Sequence, residues 1–161
     1  MEGGASRLGE GGRPFAARFD PPEGLEGIAV IPPDKVSTRL AREAIPPQVP
    51  LADAVANVSA AALLVLGLRS ADLGLVARGL RDSIHQPHRR DLYPRSMEIV
   101  DSAAEIGALG ATISGAGPTV LLWTRSEAAD SVAERAATAV EGWAHVRRVA
   151  FEAAGAVARR L

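Results

Sequence analysis

Residues 110–122 read GATISGAGPTVLL, two β-branched apolar runs around Ser114-Gly115-Ala116-Gly117-Pro118, a turn with almost no side chain in it. The runs predict two adjacent strands, and the glycines supply the backbone freedom their connection needs. Successive N–H groups in such a turn can also form an anion-binding nest. A plain hairpin needs glycine too, but it does not need to be small at every position. Backbone that approaches a ligand does, and Ser114 adds a free hydroxyl at the strand end.

Working outward, Gly27-Ile28-Ala29-Val30-Ile31 is a short apolar run stopped by Pro32-Pro33, which reads as a strand. Ser37-Thr38 offers an N-cap for a short helix over 39–45, ended by Pro46-Pro47. Pro50 opens the next helix, 51–68, which is apolar on most sides and so predicts a buried helix. Ser70 or Asp72 caps a helix whose stripe is Leu73, Val76, Ala77, Leu80 and Ile84, ended by Pro87. Another runs from about 94 to 106, with Gly107 just past its end. A helix over 127–141, capped by Ser126, and a strand over 146–151 complete the chain. A hairpin among separated strands points to α+β, with helices covering one face of a mostly antiparallel sheet. Residues 1–26, rich in glycine and proline, read as a leader or as the remnant of a missing N-terminal domain. The domain proper spans 27–161.

Length and composition bound the function. At 161 residues the chain is one domain, able to bury roughly 70% of its unfolded surface. No cysteine is present, which excludes a disulfide framework and thiolate metal sites and leans toward the cytoplasm. A net charge of −1 gives no case for nucleic acid or an anionic membrane. The stretch 51–68 contains Asp53, Asn57 and Ser59 and falls short of the roughly 20 apolar residues a membrane span requires. Of the 18 basic residues only Lys35 is lysine, leaving 17 arginines, so an arginine at any one position is weak testimony by itself.

Two more stretches carry charge in suggestive places. His85-Gln86-Pro87-His88-Arg89-Arg90 sits where a helix breaks. Its histidines lack a third ligand, and Pro87 spoils their common face, so no metal is expected. The segment reads either as a polar helix end or as a cationic wall presenting Arg89 to a carboxylate or phosphate. In Ser37-Thr38-Arg39-Leu40-Ala41-Arg42-Glu43, Arg39 and Arg42 lie one turn apart on what would otherwise be a solvated face. No GxxxxGK[ST], GxGxxG or GxSxG pattern occurs. The residues by themselves give pieces of a binding surface and no complete catalytic apparatus.

Taken in order, VSTRLAREAIP (36–46), LADAVANVSAAALL (51–64), DSIHQPHRRDLYP (82–94) and GALGATISGAGPTVLL (107–122) resemble the homoserine kinases of the GHMP kinase superfamily. The last segment resembles the superfamily's glycine-rich third motif, and HQP-x-R is more particular to homoserine kinases. The resemblance is to the C-terminal half only. Family members carry a glycine- and serine-rich phosphate loop in an N-terminal domain, and the chain has no such segment, although Glu2-Gly3-Gly4 is similar to the last strand of that domain.

The resemblance implies a ferredoxin-like sandwich and ATP-dependent phosphorylation of the homoserine side-chain hydroxyl, toward threonine. It implies that Arg42 and Arg89 hold the homoserine carboxylate and that Ser114, Gly115, Ala116 and Gly117 close over the substrate, with Gly115 and Gly117 on the phosphate side. ATP and Mg2+ are implied as cofactors, with their main ligands on the missing half. The implied partners are homoserine and a separate N-terminal kinase domain, and a homodimer is left open. The chain is then inactive alone. The rival expectation is a non-catalytic ferredoxin-like module that binds an amino acid or regulates; a third is an inert fragment with an exposed apolar face.

Overall fold

A computed structural model describes residues 19–151. Most of the glycine-rich leader and the tail 152–161 lie outside the described residues. The elements are β1 (Leu25–Ile31), α1 (Thr38–Glu43), α2 (Leu51–Ser70), α3 (Leu73–Gly79), a 3-10 turn (Pro87–Leu92), α4 (Pro94–Asp101), α5 (Ala103–Ile106), β2 (Gly110–Ile113), β3 (Val120–Arg125), α6 (Ala129–Val140) and β4 (His145–Val149). Four antiparallel strands stand in the order β2-β3-β1-β4, the split βαβ arrangement of ferredoxin-like folds. The expected hairpin forms: Ile113 pairs with Val120, and the Ser114 N–H donates to the Thr119 carbonyl at 2.8 Å. The Gly117–Pro118 peptide inside it is cis.

Period-two alternation decides which side chains meet. Ile28 and Val30 of β1 share a face with Val120 and Leu122 of β3, and all four are fully buried. Ile99, Ala103 and Ile106 from α4 and α5, with Val132, Ala136 and Val140 from α6, cover that face. Each large side chain so buried contributes about 1.5–3 kcal/mol. Leu25 and Trp123 point the other way, onto Leu73, Val76 and Leu80, with Leu64 and Leu68 of α2 beside them. The sheet therefore carries a second, smaller helical layer on the face that the sequence pattern left bare. β1 begins at Leu25, two residues before the expected strand, because Leu25 is needed in this second core.

α2 departs from expectation. Its apolar composition predicted burial, yet only Ala60 and Gly67 are buried, while Leu51, Val55, Val58, Val65 and Leu66 are exposed. Composition says where a helix tolerates burial; it cannot supply the element that covers it. With 20 residues and an 18-residue window of mean hydropathy 1.9, α2 is long and apolar enough to cross a membrane by length and composition, contrary to the sequence reading.

Local hydrogen bonds explain the remaining differences. Asp72 caps α3 as expected, accepting from the Gly74 and Leu75 N–H groups. The stripe extending to Ile84 is cut at Gly79, because the Asp82 carboxylate takes the N–H groups of Ile84, His85 and Gln86 into a loop. The helix expected over 94–106 breaks at Ser102, whose hydroxyl donates to the Glu98 carbonyl, and Gly107 closes it at φ +91. Neither Ser37 nor Ser126 makes a side-chain cap; a 3-10 turn at Ser126–Ala128 leads into α6.

Candidate functional site

Arg89 stands on the 3-10 turn that follows Pro87, and it ties distant parts of the chain together. Its Nε donates to the Ala41 carbonyl in α1 at 2.8 Å. Its Nη1 donates to the Gly115 carbonyl in the glycine turn at 3.2 Å. These two bonds use two of its five N–H donors. Arg42 is the residue after Ala41, so the same bond anchors its backbone beside Arg89. The Arg42 side chain is exposed and makes no hydrogen bond or ion pair among the described residues.

Beside Arg89 opens a cavity of about 450 Å³, whose lining includes Asn57, Asp82, His85, Gln86, Arg89 and Gly115. Arg42, Ser114, Ala116 and Gly117 are not among its lining residues. A hollow of similar size, about 470 Å³, lies elsewhere between Pro32, Pro94, Pro118 and Trp143 and contains none of the predicted site residues. Arg95 covers the Trp143 ring there at 5.3 Å, so that hollow already holds its own cation.

The glycine turn divides its labour. Gly117, at φ +85, has no room for a side chain: a Cβ would fall 2.7 Å from Cε1 of Tyr93. The close neighbour at Gly117 is thus the protein's own aromatic ring, where the sequence suggested a ligand. Gly115, at φ +61, faces open space with nothing within 4 Å. Among the described residues the Gly115 and Ala116 N–H groups donate to no protein acceptor, whereas Gly117 N–H is taken by the Ser114 carbonyl. Two free donors beside Arg89 make a small electropositive corner, suited to an anion.

The loop that carries Arg89 is set by Asp82. One carboxylate oxygen accepts from the Asn57 amide at 3.0 Å and from the Ile84 and His85 N–H groups; the other accepts from Gln86 N–H. Burial pushes the Asp82 pKa up, but these hydrogen bonds outweigh it and hold the group at about 2, so it is ionised at neutral pH. Asn57 also accepts from Ser83 N–H at 2.7 Å, which stitches α2 to the loop. Buried Gln86 accepts from the Ile113 N–H at 2.8 Å and fixes the loop against the end of β2. Tyr93 is buried, and its hydroxyl lies against the Arg89 guanidinium without completing a well-formed hydrogen bond. Burial raises the pKa of this phenol, and the adjacent Arg89 charge pulls against the rise.

Asp82, Asn57, Gln86 and Tyr93 were not singled out from sequence. An Asp three residues before a His-Gln-Pro turn is an Asx-turn signal that could have found Asp82. The histidines are engaged locally: His88 Nδ1 donates to the Ile84 carbonyl, and His85 Nδ1 lies 3.3 Å from Asp82. Among the described residues no three His, Asp or Glu side chains gather to hold a metal ion, so they do not fit a magnesium site.

Residues 62–142 match the family described as GHMP kinases C terminal. The chain is 42% identical over 113 residues to a homoserine kinase of Thermus thermophilus, covering 70% of this chain and 39% of that protein. It is 40% identical over 116 residues to one from Moorella thermoacetica, covering 72% and 39%. The crystal structure of homoserine kinase from Cytophaga hutchinsonii superposes with a TM-score of 0.75 at 29% identity, over 85% of this chain and 44% of that one. The chain thus spans about two fifths of the length of the curated relatives it matches. A ferredoxin-like sheet, the glycine turn between β2 and β3, and the arginine locked to it lie within or beside the matched span, and the chain belongs to the GHMP kinases as their C-terminal domain.

Proposed function

We propose that the chain is the substrate-holding half of a homoserine kinase, acting in the cytoplasm together with an N-terminal kinase domain. The observation that carries this reading is Arg89, whose guanidinium joins α1 to the glycine turn at the edge of a cavity large enough for an amino acid. The naming of the Thermus and Moorella relatives supports the substrate. Bound ATP supplies the phosphoryl group. Arg89 and Arg42 take the homoserine carboxylate, and planar guanidinium groups fix its direction as well as its charge. With that end pinned, the side-chain hydroxyl is held in one place, and positioning is most of what phosphoryl transfer asks of a protein. Ser114, Gly115, Ala116 and Gly117 close over the substrate from this side, with the Gly115 and Ala116 N–H groups available to phosphate oxygens. Magnesium ligands and the nucleotide cradle are assigned to the other domain.

Measurement of ADP release with ATP, magnesium and homoserine tests this. The chain alone should show no turnover, and co-expression with the N-terminal domain of the Thermus thermophilus homoserine kinase should restore it. Turnover by the purified chain alone would refute its dependence on a second domain. Homoserine binding by calorimetry without any complementation favours the amino-acid-binding module instead.

A further inference from the structure

Another hollow, of about 630 Å³, lies between α2 and the end of α3, and Arg89 does not line it. Ala56, Ser59, Ala60 and Leu63 form its α2 wall, at the three- and four-residue spacings that share one helix face. Three of these four are Ala or Ser, which leaves room above the helix. Arg78, Arg81 and Ser83 complete the lining. Gly79 holds the two arginines at this wall, because it packs so tightly that a Cβ there would fall 2.4 Å from the Leu64 backbone nitrogen. Gly79 and Leu80 are buried, whereas Arg78 and Arg81 on either side of them are exposed. Among the described residues neither guanidinium makes a hydrogen bond or ion pair, and neither the Ser59 nor the Ser83 hydroxyl makes a hydrogen bond. Arg39, Arg90 and Arg148, by contrast, each take a carboxylate. The lining contains no Asp or Glu. Asp82 stands between Arg81 and Ser83 in the chain, but its carboxylate is committed to Asn57 and the loop N–H groups.

We propose that this hollow binds a phosphate group, whether of a soluble phosphate compound or of a lipid headgroup. Two unpaired guanidinium groups and two free hydroxyls share one hollow with no carboxylate to neutralise them. A phosphate dianion matches both positive charges, offers its oxygens to the planar forks and accepts from the hydroxyls. A carboxylate carries a single charge and would leave one guanidinium unmatched. The site is distinct from the corner beside Arg89, since Gly115 and Arg89 line the other cavity. Asn57 joins the two places: its Oδ1 accepts from the Ser83 N–H at 2.7 Å, and its amide donates to Asp82 at 3.0 Å. A phosphate held by Arg81 and Ser83 therefore grips the residues on either side of Asp82, which shapes the loop that carries Arg89. The inference stands apart from the choice of substrate.

Titration of the 161-residue chain with inorganic phosphate at constant ionic strength, followed by NMR, tests it. The expected result is saturable binding, with shifts at the Arg78 and Arg81 Nε–H groups and at the Ser59 and Ser83 amides. Arg78→Gln and Arg81→Gln, each at an exposed position, should each weaken binding at least about tenfold with an unchanged circular dichroism spectrum. Arg89→Gln should leave these shifts in place, because that guanidinium lines the other cavity. Phosphatidylglycerol vesicles separate the two sources. Vesicle binding that both substitutions abolish supports the site with a lipid headgroup as its ligand, and vesicles ignored while phosphate binds support it with a soluble ligand. The inference is overturned by the absence of saturable phosphate binding, or by binding indifferent to both substitutions. Shifts confined to Gly115 and Ala116, or acetate saturating at the same concentration as phosphate, overturn it as well.

Discussion

The Arg89 guanidinium donates to the Gly115 carbonyl at 3.2 Å across 26 residues of sequence, while the same side chain holds the Ala41 carbonyl 48 residues away. One side chain thereby fixes the spacing of three segments around a cavity. Those bonds use two of its five N–H donors, which sets the first expectation.

In a reconstituted enzyme Arg89→Ala should reduce kcat/KM for homoserine by about 2–5 kcal/mol and leave the KM for ATP nearly unchanged. Arg42→Ala, at an exposed position, should cost about 1 kcal/mol or less. Steady-state kinetics with each substrate varied separately decides this. An equal loss for both substrates from Arg89→Ala would assign that residue to packing alone.

Asp82 makes stability depend on acid pH. Its folded pKa lies near 2, below the ordinary 3.8, so ionised Asp82 favours the folded state above about pH 4. That contribution, about 2 kcal/mol, disappears as the pH falls from 4 to 2. Asp82→Asn should remove this part of the acid dependence and lower stability at pH 7. Urea unfolding of both proteins across that range is the check; parallel curves would sink the idea.

The two glycines of the turn should respond differently. Gly115→Ala meets open space and only the strain of a positive φ, about 1–2 kcal/mol. Gly117→Val adds a collision with the Tyr93 ring to that strain and should cost about 3 kcal/mol or more. Thermal melts of the two variants rank them, and similar losses would count against a close contact between Tyr93 and Gly117.

Tyr93→Phe removes a buried hydroxyl that lies beside the Arg89 guanidinium without a well-formed hydrogen bond. The change should be neutral or stabilising by about 1 kcal/mol, since an unpaired polar group is relieved. A clear loss of stability in the same melts would mean that the hydroxyl has a partner after all.

Much of the fold was legible because its signals are local. The hairpin followed from two β-branched runs around a glycine turn, the α3 cap from Asp72 two residues before Gly74, and the end of α5 from Gly107. The 73–84 stripe misled because Asp82 offered the backbone hydrogen bonds that a longer helix would have used. Of the site, the Arg89 loop and the glycine turn were legible as separate pieces, whereas Asn57, Gln86 and Tyr93 were not, since nothing in their spacing marks a contact with residues more than 20 positions away.

Periodicity, turn chemistry and capping act over a few residues, so the order of strands and helices was determined by the sequence itself. Which faces meet is settled by packing between elements far apart in the chain, where the burial of one element depends on another being present. Only the tertiary structure therefore decided that Tyr93 fills the space above Gly117, that Arg89 joins α1 to the glycine turn, and that Leu51, Val55 and Val58 of α2 face outward.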